Sequence, residues 1–355
     1  MNPGPVNLSE RVRKALLRPD LCHREPEFSA LQDQIRQNLI AIYGLTTTDW
    51  TAILLTGSGT AAIEAMLTSC VPAHGKVLII ENGIYGERMT RIADTYHIDH
   101  VVIRHDWGEA VNLKQLEDEL QYHKELTHVA VVHHETTTGC LNNLAATANL
   151  CKSYNVTLLI DGVSSFGAED IEFEEWNVAA CAATANKCLH AVPGTSFVIV
   201  NRNALEIMQG TPARTVYLDL VSYLKNQDAG GTPFTQSIQT FYALDEALNE
   251  LKESGGQKQR KQDYLDRMEI VREGLIHLGI QPLLKQEVCS CVLNAFYLPD
   301  GLTYKDLHDQ LKEAGFVIYA GQGGLAKQIF RVSIMGEMTR EDIHRFVEKI
   351  RNIIK

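Results

Sequence analysis

Short apolar runs alternate with amphipathic segments through residues 50–200 of the chain. The apolar runs have the length of strands and predict seven of them: Ala52–Leu55, Lys76–Ile80, His100–Arg104, Thr127–His133, Val156–Ile160, Val178–Ala182 and Ser196–Val200. Helical periodicity between several of these runs predicts four helices: Thr60–Cys70, Gly86–Tyr96, Leu113–His123 and Leu144–Tyr154. Such alternation is typical of an α/β fold, a mostly parallel sheet with helices on both faces. Sites in such folds lie at the carboxyl ends of the strands.

This alternation stops in the last third of the chain, after the turn-forming residues Gly230–Pro233. From there the patterns predict helices Ser237–Lys252, Gln257–His277, Tyr304–Ala314 and Thr339–Ile353, and strands Val292–Tyr297, Phe316–Tyr319 and Phe330–Ile334. We therefore expect an N-terminal arm of residues 1–14, a large domain of residues 15–253 and a smaller α+β domain of residues 254–355.

The composition is that of an ordinary globular protein, with 45% apolar and 22% charged residues. The 33 basic and 44 acidic residues give a net charge of −11, which disfavours a nucleic-acid surface but permits a basic pocket for a small anion. No run approaches the roughly 20 apolar residues of a membrane span, and Met1–Pro5 does not resemble a secretory leader, so we expect a cytoplasmic protein without a membrane partner. The eight cysteines lack zinc-site spacing, and we expect reduced thiols and no metal.

The segment Gly57–Ala62 follows a predicted strand and opens a predicted helix. It matches a dinucleotide fingerprint, and Glu81 follows the next strand at a distance suited to a ribose hydroxyl. An NAD-dependent dehydrogenase is therefore one interpretation. The other is a simpler phosphate site, in which Ser58, Gly59 and Thr60 present hydroxyl groups and free helix N–H groups to the anion.

Asp161 and Lys187 favour the phosphate site, because Asp161 directly follows one predicted strand and Lys187 lies just past another. The 26 residues from Asp161 to Lys187 are enough for the chain to return to the same edge of the sheet. A carboxylate and a lysine at one sheet edge suit pyridoxal phosphate: the Asp pairs with the protonated ring nitrogen, and the Lys forms a Schiff base and transfers protons.

Five segments together resemble the ordered blocks of class V aminotransferases, a family that includes alanine–glyoxylate and serine–pyruvate transaminases. The segments are Thr56–Glu64, Asn82–Arg88, His134–Gly139, Asp161–Ser165 and Asn186–Lys187. The resemblance extends from Asn2 to Arg331, and the stretches His133–Gly139 and Ala185–Gly194 are most similar to the family members that act on 2-aminoethylphosphonate and pyruvate. The resemblance implies a fold type I pyridoxal-phosphate transferase.

The resemblance also implies roles for individual side chains. Tyr85 would stack on the cofactor ring, and Thr136 would donate to its phenolic oxygen. The residues implied to hold the phosphate are Ser58, Gly59, Thr60 and Asn186. Because the family builds its site at a dimer interface, the resemblance implies a homodimer with shared sites. Thr235 is the candidate for contact with the neighbouring subunit's phosphate, and Thr232 is a second candidate. Turn chemistry around Pro233 is the competing interpretation.

Arg331 lies in the apolar strand Phe330–Ile334 and needs an anionic partner, which the resemblance implies is a substrate carboxylate. A structural salt bridge is the alternative. Arg24 and Arg214 are candidates for a phosphonate group, although either could form an ordinary loop ion pair. The implied reaction moves the amino group of 2-aminoethylphosphonate to pyruvate, giving phosphonoacetaldehyde and L-alanine; an alanine–glyoxylate or serine–pyruvate transaminase is the alternative.

Overall fold

A computed structural model describes residues 1–355. The helices are α1 Glu10–Ala15, α2 Pro26–Ala41, α3 Gly59–Cys70, α4 Ile84–Thr95, α5 Leu113–Tyr122, α6 Leu144–Ser153, α7 Ala204–Gln209, α8 Leu220–Asp228, α9 Ile238–Glu253, α10 Gly256–His277, α11 Tyr304–Glu313 and α12 Arg340–Ile353. The strands are β1 Trp50–Gly57, β2 Lys76–Glu81, β3 His100–Arg104, β4 Leu126–Val132, β5 His134–Glu135, β6 Cys140–Leu141, β7 Thr157–Asp161, β8 Val178–Thr184, β9 Gly194–Asn201, β10 Leu293–Tyr297, β11 Tyr319–Ala320 and β12 Ile329–Ser333. Short 3₁₀ turns lie at Gln286–Val288 and Gly323–Leu325.

The central sheet has seven strands in the order β1-β9-β8-β7-β4-β2-β3. Strand β9 runs antiparallel to both of its neighbours, and the remaining pairs are parallel. The expectation of a mostly parallel α/β sheet with helices on both faces is therefore confirmed. In this order β7 and β8 lie side by side, which brings the residues at their carboxyl ends to one edge.

Successive residues of the strands enter two different cores, one on each face of the sheet. In β1, Leu54 belongs to a cluster of 41 buried residues, whereas its neighbours Ile53 and Leu55 belong to a second cluster of 28. Both faces of a sheet covered by helices must be apolar, which explains why these strands are continuous apolar runs rather than alternating ones. The apolar pattern predicted the strands for this reason.

A third cluster of 25 buried residues forms between α10, α11, α12 and the small sheet β10-β12-β11. Met1 and Val6 of the N-terminal segment also join it, and the carbonyl of Met1 accepts a hydrogen bond from Ser333 N. Helix α9 ends at Glu253 and α10 begins at Gly256. The division into domains at residue 254 stays a prediction.

Several elements were not predicted from the sequence. Helix α2 has the buried residues Gln32 and Arg36 on its inner face, so its apolar stripe is interrupted. Helices α7 and α8 are short, and the hairpin β5-β6 has only two residues in each strand. Strand β11 begins at Tyr319, so the prediction of a strand over Phe316–Tyr319 was placed too early. None of the helices is long and apolar enough to cross a membrane.

Candidate active site

A cavity of about 310 Å³ opens at the carboxyl ends of the parallel strands. Strand β1 ends at Gly57, just before the lining residue Ser58. Strands β7 and β8 end at Asp161 and Thr184, which both line this cavity. Its lining residues are Pro5, Ser58, Gly59, Thr60, Ile63, Tyr85, Arg88, Val132, His134, Thr136, Asp161, Val163, Ser164, Thr184, Asn186, Lys187, Pro193 and Gly194. The cavity thus brings together Lys187, Asp161 and all of the predicted cofactor-binding residues except Thr235.

Lys187 lies three residues beyond the end of β8, and its side chain is largely buried. Its Nζ donates to the carbonyl of Pro3 in the N-terminal segment. Burial lowers the pKa of Lys187 from 10.5 to about 8, because a buried ammonium loses hydration. Near neutral pH the uncharged share of this amine is therefore much larger than that of an ordinary lysine, which favours its use as a nucleophile and base.

Asp161 is the last residue of β7 and is almost fully buried. Its Oδ1 accepts a hydrogen bond from Val163 N at 2.9 Å. Burial raises the pKa of its carboxyl to about 6, while the positive charges of Arg88 and Lys187 act in the opposite direction. No basic side chain lies within salt-bridge distance of Asp161, so its carboxylate is available to a cationic group that enters the cavity.

Ser58, Gly59 and Thr60 lie where β1 passes into α3. Ser58 is the N-cap residue, but its hydroxyl makes no capping hydrogen bond. The first N–H groups of α3 have no acceptor within the helix, and the helix dipole favours an anion at this end. A Cβ at Gly59 would lie 2.9 Å from both γ-carbons of Val163, so glycine lets the start of α3 approach Val163 closely.

Tyr85 and Arg88 lie one turn apart at the start of α4, and both line the cavity. The guanidinium carbon of Arg88 is 4.7 Å from the centre of the Tyr85 ring, and Arg88 Nη1 donates to Thr60 Oγ1 at 3.2 Å. Arg88 was not predicted as a site residue. Its position three residues after Tyr85 was the available signal, because residues at that spacing share one helix face.

Thr136 lies in the turn between β5 and β6, and its hydroxyl has no partner within the protein. The preceding Glu135, which the sequence analysis also missed, is completely buried. Its Oε1 accepts from the hydroxyl of Thr137 at 2.6 Å and from Thr137 N at 3.2 Å, and its Oε2 accepts from Tyr85 N at 3.2 Å. Glu135 therefore joins the turn that carries Thr136 to the start of the helix that carries Tyr85.

Arg331 is buried in β12 and reaches towards this turn. Its Nε donates to the carbonyl of Ala320 at 2.8 Å, and its Nη1 donates to the carbonyl of Thr136 at 2.9 Å. The guanidinium makes no salt bridge, and its Nη2 has no acceptor. The structural salt bridge that we considered for Arg331 is thus not formed. Arg331 is not itself a lining residue, but its buried cation contacts Thr136, which lines the cavity.

The remaining candidates do not line this cavity. Arg24 is exposed. Arg214 donates to the carbonyls of Thr68 and Val71 at 2.8 and 2.7 Å, an arrangement that holds the end of α3 and leaves the guanidinium away from Lys187. Thr235 is exposed, and Thr232 makes the expected turn contacts, donating to Phe234 O at 3.1 Å.

The surroundings of Glu81 argue against a dinucleotide-binding site. Its carboxylate is buried, accepts from the hydroxyl of Thr90, and forms a salt bridge of 3.1 Å with Arg104 Nε. These two neighbours occupy the oxygens that a ribose would need.

The polar groups present in the cavity fit pyridoxal phosphate. The carboxylate of Asp161 suits a protonated ring nitrogen, the start of α3 suits a phosphate, and Lys187 supplies the amine. His134 adds an independent observation: its Nδ1 lies 3.1 Å from Ser164 O, while its buried Nε2, on the cavity wall, has no partner. A buried polar atom without a partner is costly, and a bound group would remove that cost.

Comparisons with known proteins show the family to which the chain belongs. A family model described as class V aminotransferase matches residues 13–346. The chain is similar to 2-aminoethylphosphonate–pyruvate transaminases from Bacillus cytotoxicus, with 35% identity over 99% of this chain and 96% of that protein, and from Phocaeicola vulgatus, with 35% identity over 100% and 98%. Among solved structures, an alanine–glyoxylate aminotransferase from Nostoc sp. is similar with a TM-score of 0.93 and 29% identity, over 100% of this chain and 94% of that one.

Proposed function

The chain belongs to the class V aminotransferases, which are pyridoxal-phosphate enzymes, and on that premise we propose that it moves the amino group of 2-aminoethylphosphonate to pyruvate, giving phosphonoacetaldehyde and L-alanine. Two relatives at 35% identity bear the name of this reaction. The observation in this chain that carries the proposal is Arg331, a buried guanidinium without a carboxylate partner beside the cavity of Lys187. Such a group requires an anion, and pyruvate has one.

The proposed cofactor contacts use polar groups and one aromatic ring that line the cavity. Asp161 would accept from the ring nitrogen, and Thr136, whose hydroxyl lacks a protein partner, would donate to the phenolic oxygen. The residues proposed to hold the phosphate are Ser58, Gly59, Thr60 and Asn186. Tyr85 would lie against the ring. When bound, pyridoxal phosphate supplies an aldehyde carbon for the substrate nitrogen and a ring that withdraws electrons from the amine-bearing carbon.

Lys187 carries the proton transfers in this proposal. Its Nζ would take a proton from the amine-bearing carbon of the donor and would deliver it to the carbon that the cofactor contributes. Water would then release the aldehyde. The lowered pKa of Lys187 suits this role, because the amine must be uncharged to accept a proton. Asp161 keeps the ring nitrogen protonated, and the buried position of its carboxylate strengthens that interaction. Pyruvate takes up the amino group by the same transfers in reverse.

Each of the two anionic substrates would be bound by its own arginine. Arg331, with its planar donors, would bind the carboxylate of pyruvate. The phosphonate also needs a cation, and the structure does not bring Arg24 or Arg214 to the cavity. Arg88 lines the cavity and makes a single hydrogen bond to a neutral hydroxyl, so we propose it in their place.

We also propose a homodimer with shared active sites and a cytoplasmic location. In the single chain, Thr235 is exposed and has no side-chain partner. This is what we expect of a residue that contacts a second subunit only after assembly. The assignment of Thr235 to the neighbouring subunit's phosphate rests on the family resemblance.

A screen of amine donors tests the proposed substrate. The cofactor-loaded enzyme is mixed with one amine at a time, without a keto acid, and the loss of cofactor colour is followed. We expect 2-aminoethylphosphonate to react faster than serine. A faster reaction with serine would favour a serine–pyruvate transaminase. Loaded Lys187→Ala is the control, and it should bind cofactor non-covalently without any such change.

A further inference from the structure

Two cysteines lie opposite each other in the backbone at the boundary between the hairpin β5-β6 and the C-terminal part of the chain. The Cys289 thiol donates to the carbonyl of Lys285 at 3.2 Å. Cys140 begins β6, and Cys289 follows the 3₁₀ turn Gln286–Val288. They form an isolated antiparallel bridge, and both are free thiols.

The hydrogen bonding at this bridge shows which type of antiparallel pair Cys140 and Cys289 form. Ser290 N donates to Gly139 O at 3.0 Å, so the bond joins the residues that flank the two cysteines rather than the cysteines themselves. This is the pattern of a non-hydrogen-bonded antiparallel pair, in which the two Cα atoms lie about 4.5 Å apart. Directly opposed side chains lie on the same face, and disulfides form at Cα separations of about 4.4–6.8 Å.

The two thiols differ in their access to solvent. Cys140 is buried, whereas Cys289 is partly exposed. Burial raises the pKa of the Cys289 thiol, but the guanidinium of Arg272, 3.6 Å from Cys289 Sγ, opposes this rise. Cys140 has no such cation, and burial raises its pKa to about 12. An oxidant would therefore react first at Cys289.

We propose that Cys140 and Cys289 are an oxidation site, at which hydrogen peroxide oxidises the two thiols to a disulfide between the hairpin and the C-terminal part. The Cys289 thiolate attacks a peroxide oxygen, the O–O bond breaks, and a sulfenic acid and one water form. The sulfur of Cys140 then displaces the hydroxyl as a second water. Two thiols are oxidised and one peroxide is reduced.

The bond would join parts of the chain that are far apart in sequence and adjacent at the active site. The hairpin carries Thr136 in its turn, while Cys289 precedes β10, which pairs with the strand of Arg331. A disulfide that closes so long a loop restricts the unfolded chain strongly and stabilises the fold. This inference is independent of the proposed substrates.

The test exposes the native, cofactor-loaded enzyme to hydrogen peroxide near stoichiometry, blocks the remaining thiols with N-ethylmaleimide, and maps disulfides by mass spectrometry without reduction. We expect a peptide pair that links Cys140 to Cys289, a loss of two hydrogens per chain, and a thermal midpoint raised by several degrees that returns after treatment with dithiothreitol.

Cys289→Ser and Cys140→Ala should each abolish the linked peptide pair and the rise in the thermal midpoint. Cys22→Ser is the matched control, because Cys22 is the exposed cysteine, and it should leave both unchanged. Oxidation of Cys289 to a sulfinic acid without a link to Cys140, or links only through Cys22, would overturn the proposal.

Discussion

The two charged side chains at the centre of the cavity, Lys187 and Asp161, have pKa values shifted in opposite directions by the same cause. Burial lowers the pKa of Lys187 to about 8 and raises that of Asp161 to about 6. Desolvation disfavours the charged form of each group, and no salt bridge offsets it. A ligand with a cationic nitrogen and an aldehyde would offset the desolvation of both groups. The nitrogen would pair with the carboxylate of Asp161, and the aldehyde would react with the neutral amine of Lys187.

The rate at which the apoenzyme takes up pyridoxal phosphate covalently should follow the ionisation of Lys187. The neutral amine is the reactive form, so the rate should rise with pH through about 8 and level off above it. Stopped-flow absorbance measures this rate, and Lys187→Ala gives the non-covalent background. A profile still rising at the ordinary lysine pKa of 10.5 would show that the amine is not desolvated as described.

Substitutions at Arg331 and Arg88 should separate the two half-reactions. Arg331→Lys keeps the charge but loses the planar donors, so the pyruvate half-reaction should slow by at least about 10-fold, since hydrogen bonds to charged groups contribute about 1.5–3 kcal/mol. The 2-aminoethylphosphonate half-reaction should change far less. Arg88→Lys should show the reverse pattern.

Single-turnover kinetics with each substrate, after the cofactor content of each variant is measured, checks this expectation. Equal damage to both half-reactions by Arg331→Lys would favour a transaminase whose two substrates both carry carboxylates. A loss of cofactor in Arg88→Lys would instead assign Arg88 to the cofactor's phosphate.

At the scale of elements, the start of α4 and the hairpin β5-β6 depend on one buried carboxylate. Both oxygens of Glu135 face donors, with Thr137 on one side and Tyr85 on the other. In Glu135→Gln, the amide NH₂ must therefore face an N–H or O–H donor. We expect a loss of about 1–3 kcal/mol in the free energy of unfolding, the cost of an unsatisfied buried group, together with weaker cofactor binding.

Calorimetry and a cofactor titration measure these two effects. Glu10→Gln is the matched control, because Glu10 is exposed and pairs only with Lys14 on the surface, where such pairs contribute about 0.2–1 kcal/mol. If Glu135→Gln and Glu10→Gln lose the same stability and keep the same cofactor affinity, Glu135 does not position the site.

The sequence predicted the elements of residues 50–200 well, because strands covered on both faces are continuous apolar runs. It predicted Lys187 and Asp161 as a pair because both follow adjacent strands. It missed Glu135 and Arg88, since their importance comes from contacts with Thr137, Tyr85 and Thr60 that only the folded chain creates. Loop arginines follow no periodicity, and the sequence therefore could not distinguish Arg24 and Arg214 from a residue that reaches the cavity.

At the scale of the whole molecule, the proposed sharing of the active site between two subunits predicts complementation between inactive subunits. Lys187→Ala lacks the amine, and Thr235→Ala lacks the proposed contact with the neighbouring subunit's phosphate. A mixed dimer contains one site with both residues intact, so mixing the two variants should restore part of the activity that each lacks alone. Sedimentation at micromolar concentration should show no dominant monomer.

Dimers without any restored activity would leave Thr235 as a turn residue of its own chain. A dominant monomer that retains full turnover would contradict the proposal that two subunits share their active sites.

Isotope transfer tests the central claim, amino transfer from 2-aminoethylphosphonate to pyruvate, most directly. The enzyme is incubated with ¹⁵N-labelled 2-aminoethylphosphonate and pyruvate, and the products are identified by NMR and mass spectrometry. We predict ¹⁵N-labelled L-alanine and phosphonoacetaldehyde in equal amounts, with neither product formed by Lys187→Ala. Unlabelled alanine only, or no reaction with this donor while serine or alanine transfers its nitrogen to a keto acid, would contradict the proposed reaction.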